Sequence, residues 1–198
     1  MEHLSLLQRL AALLLPLIFA ITVHEAAHGW VADRLGDPTA RKLGRVSFNP
    51  LRHIDWLGTL VLPVGLFLLS GFIFGWAKPV PVDFRRLHQP RRDMVLVAAA
   101  GPAANLLMAL GWSLALVAGM AAMSWSPALA VPLIFAGAAG VFINILLMAL
   151  NLLPLPPLDG GRILTGLLPP RLAAGFARIE PLGLPILLGL LLSGILWL

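Results

Sequence analysis

Apolar residues fall along this chain in five long blocks, and all but one of the connections between them are charged. The first runs from about Leu4 to Val31, the third from Met94 to Met123, the fourth from Pro127 to Leu153 and the fifth from Leu182 to Leu198. A helix needs roughly 17–25 residues to cross the hydrocarbon of a bilayer, and each of these blocks is long enough; the last, at 17 residues, is just sufficient. Pro16 is expected to bend the first span. The second block, Trp56 to Phe74, is also long enough, but Gly58, Pro63, Gly65 and Gly71 interrupt it. The apolar start of the chain lacks the short polar, small-residue region of a cleavable signal, so it reads as a retained span.

Composition agrees with the pattern. Hydrophobic residues make up 59% and charged residues 12%, against roughly half and a quarter in ordinary globular chains, and mean hydropathy is +0.91. The expectation is an all-α polytopic membrane protein with about four to five transmembrane helices, residues 1–198 forming a single domain. A net charge of +5 and a pI near 11.3 could suggest nucleic acid. The cations, however, sit between apolar blocks, where they set topology and meet lipid headgroups. Cysteine is absent, which leaves any metal to His, Asp and Glu.

Cation placement orients the spans. Loop Asp33–Asp55 holds five Lys/Arg, loop Gly75–Asp93 five more, and Asn151–Pro181 three, whereas Ala121–Ala128 holds none. The positive-inside rule places the first three in the cytoplasm and the last outside. If both flanks of segment 56–74 are cytoplasmic, that segment dips into the membrane and returns, a re-entrant course tolerated only where protein or water covers its backbone. The alternative is that it crosses and one loop breaks the charge rule. Two β-prone stretches, Arg45–Phe48 and Pro79–Val82, suggest small hairpin or strand elements on the cytoplasmic side, the second an edge strand at best because of its prolines.

The chemistry lies inside the first span, which contains His24-Glu-Ala-Ala-His28. Residues i and i+4 share a helix face with a rise of about 6 Å, so two imidazole nitrogens can meet one zinc ion. Glu25, about 100° around the helix, can reach the bound water as general base. Such residues in an apolar span are costly unless paired or metal-bound, and they default to function over a polar helix–helix contact. A hydrolytic zinc site takes three protein ligands and an open position. Asp159, in Asn151-Leu-Leu-Pro-Leu-Pro-Pro-Leu-Asp-Gly-Gly-Arg162, is the acidic residue outside the charged loops. Pro154, Pro156 and Pro157 must break the fourth span there, presenting Asp159 on an irregular turn. Its other reading is the N-cap of a short helix over Gly160–Leu168.

HEAAH in a membrane span followed by NLLPLPPLDGGR resembles the site-2 protease family of intramembrane zinc metalloproteases. Further matches are Gly101-Pro-Ala-Ala-Asn105, Asp37-Pro-Thr-Ala, Asn49-Pro-Leu-Arg-His-Ile-Asp55 and Gly75-Trp-Ala-Lys-Pro-Val-Pro-Val82, so that the likeness covers most of residues 20–165. The connecting blocks resemble the compact prokaryotic branch, without PDZ or CBS domains. The resemblance implies that His24, His28 and Asp159 ligate Zn2+ and that Glu25 activates water. Asn151 matches an asparagine that helps hold the substrate strand or the oxyanion. Asn105 matches the polar residue of the GPxxN block, with a role in helix packing or, by position, in the substrate site. His53, in the NPLRHID block, could approach the mouth of the site, although a lone loop histidine is more often structural.

Together these readings describe an endopeptidase of the bacterial plasma membrane, cutting a single-span membrane protein within or near its transmembrane segment, in the service of regulated proteolysis. His28 precedes Arg34 by six residues, about 9 Å of rise, which sets the metal just below the cytoplasmic surface. Two other classes compete. A membrane zinc transporter would need further His or acidic sites along a pathway, and the third and fifth blocks supply none. A non-catalytic membrane adaptor would have no need of Glu25 beside both histidines.

Overall fold

The computed structural model describes residues 6–61, 65 and 77–193, and among them every regular element is helical. Three long helices form the centre: α1 (Leu6–Arg34) continues through Pro16. After a short α2 (Thr39–Lys42) come α3 (Pro90–Ala122) and α4 (Pro127–Asn151). Three shorter helices follow, α5 (Asp159–Leu167), α6 (Pro170–Ala177) and α7 (Glu180–Leu192). Ala12–Arg34, Pro90–Ala122 and Pro127–Asn151 are each long and apolar enough to cross a membrane. The pair α6 and α7, bent by 62° at their junction, can form a fourth span. That is three or four spans among the described residues, against the four to five expected. Of segment 56–74, Trp56–Val61 winds as a π-helix. Residues 62–64 and 66–74, on which the re-entrant reading rests, lie outside the described residues, as does the end of the last apolar block from 194 on.

The helix boundaries follow local chemistry. α3 starts with Pro90 in its first turn, and Asp93 in that turn accepts the Gln89 N–H at 2.8 Å. α4 likewise starts at Pro127 and stops at Asn151, because Pro154, Pro156 and Pro157 cannot continue it. Asp159 is not the N-cap of α5; Leu158 holds that position in an extended conformation, and Asp159 is the first helical residue. Its carboxylate is thereby released from capping.

Between α3 and α4 the backbones approach closely at small residues, as is usual where lipid offers no hydrophobic drive between helices. A Cβ on Gly137 would come within 2.8 Å of the Leu116 backbone, one on Gly119 within 3.0 Å of the Ile134 backbone, and one on Gly140 would enter the Trp112 ring. Trp112, on α3, therefore packs against α4 at Gly140. Outward residues such as Leu107, Leu114 and Phe142 are 69%, 71% and 65% exposed, an apolar girdle that suits lipid and not water.

The connections are tied by buried polar side chains. Asp37 is fully buried; one of its carboxylate oxygens accepts from the Thr39 N–H and hydroxyl, and the other from the Asp83 N–H at 2.7 Å. Arg45 donates to the Lys78 and Pro79 carbonyls at 2.7 and 3.3 Å, and the Lys78 N–H donates to His53 O at 2.9 Å. These bonds draw residues 77–83 across the end of α1 as an extended strap. The expected hairpin is not formed, and no strand occurs among the described residues. Pro79 and Pro81 have no N–H, while those of Lys78, Val80 and Asp83 are spent on His53, Glu25 and Asp37, so no ladder can build.

The helix interface makes a direct prediction. Gly137→Ala overpacks α3 against α4, costs about 1–3 kcal/mol and lowers the thermal midpoint in detergent. Gly111→Ala, where nothing lies within 4 Å of the added carbon, leaves the midpoint unchanged or raises it.

Candidate metal centre

His24 and His28 sit one turn apart on α1, both buried, and their Nε2 atoms lie 3.1 Å from each other. Asp159, delivered by the broken end of α4, brings Oδ2 to 3.2 Å from His24 Nε2 and 3.3 Å from His28 Nε2. The three residues form one ligand cluster.

What these atoms can do depends on where the protons are. His28 Nδ1 lies 2.7 Å from the Val97 carbonyl, which can only accept, so Nδ1 carries the hydrogen and Nε2 turns a lone pair inward. His24 Nδ1 lies 2.5 Å from Asn105 Oδ1, an acceptor as well. Asp159 Oδ2 is buried and lacks a hydrogen-bond donor. The contact between the two Nε2 atoms is thus a meeting of lone pairs, not a hydrogen bond. Three acceptors converge where only a proton or a cation can reconcile them. Tetrahedral zinc with ligands at roughly 2.0–2.1 Å places neighbouring donors about 3.3 Å apart, and the observed triangle matches it. Each imidazole is also held at its far nitrogen by a protein acceptor, as metal-ligating histidines usually are.

Space for this triangle comes from a glycine. A Cβ on Gly101 would collide with His28 Nε2 and lie 2.5 and 2.6 Å from His24 Cε1 and Nε2. Gly160 and Gly161 serve the other side, where added carbons would strike the Leu152–Leu153 and Leu155–Pro156 backbone. Without them α5 could not fold back on the turn that carries Asp159.

Glu25 is half-buried beside the cluster, and one of its carboxylate oxygens accepts the Val80 N–H at 2.7 Å from the strap. Both face a cavity of about 150 Å³ together with His24, His28, Asp159, Asn151 and Arg162. Asn151 also donates to Leu147 O at 2.9 Å. The guanidinium of Arg162 stacks over Phe84, 5.3 Å from the ring centroid. At the far end of the strap, the hydrogen bond from Arg85 above all, with help from Arg86, holds the exposed Asp83 carboxyl below its usual range.

Two residues that the sequence offered for substrate contact sit elsewhere. Asn105 is fully buried behind His24 and takes no part in the cavity wall. His53 is buried in its loop, with Nε2 donating to Ser47 O at 3.0 Å, and does not line the cavity either. Sequence reasoning missed the Val97 carbonyl, the Val80 N–H, Arg162 and Asn144. The first two are backbone groups with no signature. Asn144, an amide in the middle of the fourth apolar block, carried a signal that was open to reading.

A sequence profile of Peptidase family M50 matches residues 112–193. Among curated proteins, the chain is 40% identical over 190 residues to "Putative zinc metalloprotease YwhC" of Bacillus subtilis, covering 93% of this chain and 84% of that one. It is 32% identical to the Rip2 protein of Mycolicibacterium smegmatis, which bears the same zinc metalloprotease name, over 89% of this chain and 64% of the relative. The likeness to "Regulator of sigma-E protease RseP" of Salmonella typhimurium is 35% over 114 residues, a quarter of that longer protein. No solved structure matches the chain significantly.

The geometry predicts that Gly101→Ala, though a favourable change for an isolated helix, removes zinc. Elemental analysis of the purified variant should show less than one-tenth of the wild-type metal, with helical content by circular dichroism unchanged; full metal occupancy would refute the assignment of this clearance.

Proposed function

The chain belongs to the site-2 protease family of intramembrane zinc metalloproteases, and from that premise we propose that it is a zinc endopeptidase cutting within or near the transmembrane segment of a single-span membrane protein. The observation that carries this reading is the convergence of His24 Nε2, His28 Nε2 and Asp159 Oδ2 on one point, with the Glu25 carboxylate facing the same cavity. His24, His28 and Asp159 would hold the metal. Zinc, when bound, supplies Lewis acidity that polarises a carbonyl and acidifies water.

The remaining steps belong to the protein. Glu25 accepts a proton from the attacking water and hands it to the leaving amine. Its bond to Val80 N–H fixes the carboxylate with one oxygen and leaves the other for the water. Asn151 lines the cavity and would hold the substrate strand or the oxyanion. The 77–83 strap, which supplies part of that wall through Pro79, Val80 and Val82, lies where an unwound substrate would run. Residues 1–198 act as one domain in the plasma membrane, with the metal towards the cytoplasm, where the arginine-rich loops lie by the positive-inside rule. Relatives named as a regulatory protease support a part in regulated proteolysis.

Glu25→Gln should lower cleavage of a model transmembrane substrate by about 10²–10⁴-fold while zinc content stays at the wild-type level; retained cleavage would remove Glu25 as the base. Orientation is checked separately on this cysteine-free background. Lys42→Cys and Gln89→Cys should react with an impermeant maleimide only from the cytoplasmic side, and Ser124→Cys only from outside.

A further inference from the structure

The metal site is connected by hydrogen bonds to a residue two helices away. Asn144, on α4, is fully buried, and its side-chain N–H donates to the Gly140 carbonyl at 2.8 Å. Its Oδ1 faces Asn105 Nδ2 at 2.9 Å. Asn105, also fully buried, donates further to Ala20 O at 3.3 Å and turns its own Oδ1 to His24 Nδ1 at 2.5 Å.

The direction of this chain is fixed from one end. An amide can be flipped on paper, exchanging donor for acceptor, and a histidine can move its proton. The Gly140 carbonyl has no such freedom, because it can only accept. Asn144 must therefore present Nδ2 to it, which leaves Oδ1 for Asn105. Asn105 must answer with Nδ2, which leaves its Oδ1 for His24. His24 must then carry its hydrogen on Nδ1, and Nε2 is left as a bare lone pair facing Asp159 and His28. The Ala20 carbonyl, a second pure acceptor at Asn105 Nδ2, demands the same orientation. Both amide oxygens and both amide nitrogens in the chain have a partner, as amides buried among apolar helices require.

We propose that Asn144 is a positioning residue of the metal centre: through Asn105 it sets the tautomer and ring orientation of His24, so that Nε2 is available to the metal. This rests on the proposed ligation of zinc by His24. Removal of such outer partners typically costs about 10–100-fold in metal affinity. The role differs from helix packing in a checkable way. A packing residue changes the stability of the metal-free protein, whereas a positioning residue changes zinc affinity and is replaceable by any group with the same donor–acceptor pattern. A neutral carboxyl has that pattern, accepting from Asn105 with its carbonyl and donating its O–H to Gly140.

The test is the zinc dissociation constant of the purified full chain in detergent, measured by chelator competition, together with the thermal midpoint of the metal-free form. Asn144→Leu should weaken zinc about 10–100-fold, Asn144→Asp should stay within a few-fold of wild type, and Asn105→Leu with Asn144→Leu should bind no more weakly than Asn105→Leu alone. Zinc affinity unchanged in Asn144→Leu, with only the midpoint lowered, would overturn the proposal. Should the leucine variants fail to fold, the wild-type protein decides the matter: nitrogen-15 shifts of His24 without metal should show hydrogen on Nδ1, and hydrogen on Nε2 would overturn the proposal. A wild-type chain that binds no zinc would defeat the metal-site reading instead, while the His24 tautomer would still report on Asn144.

Discussion

Three electron-rich atoms held 3.1–3.3 Å apart in a largely apolar interior repel one another unless positive charge lies between them. Most of this structure can be understood as the means of imposing that arrangement. The histidines cannot turn their N–H groups inward, because a backbone carbonyl holds one and a buried amide holds the other. The aspartate cannot retreat into a helix cap, because Leu158 occupies that position. A cation held by these three atoms would relieve an interaction that folding creates, and its binding energy would appear in the stability of the centre.

One helix face does most of the positioning. Val97, Gly101 and Asn105 are spaced by four and lie along one side of α3, while His24 and His28 are spaced by four on α1. The pairs meet in opposite order, His28 with Val97 and His24 with Asn105, as antiparallel neighbours require, and Gly101 falls between them where the imidazoles need room. The spacing within HEAAH and the spacing within GPAAN are the same geometric quantity read on facing helices. α4 then holds α3 in place, closely packed at Gly137 and Gly140 and linked by Asn144.

That symmetry marks the limit of what the chain disclosed as a string. The long apolar runs were legible because bilayer thickness imposes a length, and the helices fall within a few residues of where hydropathy put them. His24, His28 and Asp159 were legible because charge and metal chemistry are costly inside a span. Asn105 was visible but its part was not, since nothing in a sequence says which carbonyl faces which ring. The hairpin was misjudged for a related reason. Pro79–Val82 has strand-like composition, but its N–H groups are claimed by Glu25 and, just beyond, by Asp37, and those partners lie 55 and 46 residues away. Long-range side-chain bonds of this kind leave no local periodicity.

The geometry of a helix constrains what the proposed peptidase can accept. A helical substrate segment pairs its backbone groups internally and hides its peptide bonds among its own side chains, so the proposed cleavage calls for a locally extended segment. Such a segment exposes backbone N–H and C=O groups, which need partners inside a membrane. The wall already contains Asn151 and the extended 77–83 strap, and the strap is held by Arg45, His53 and Asp37 from outside the cavity. Because Val80 N–H also holds Glu25, any shift of the strap would move the Glu25 carboxylate with it. In the proposed reaction, strand recognition and base placement would in this way be parts of one mechanical unit.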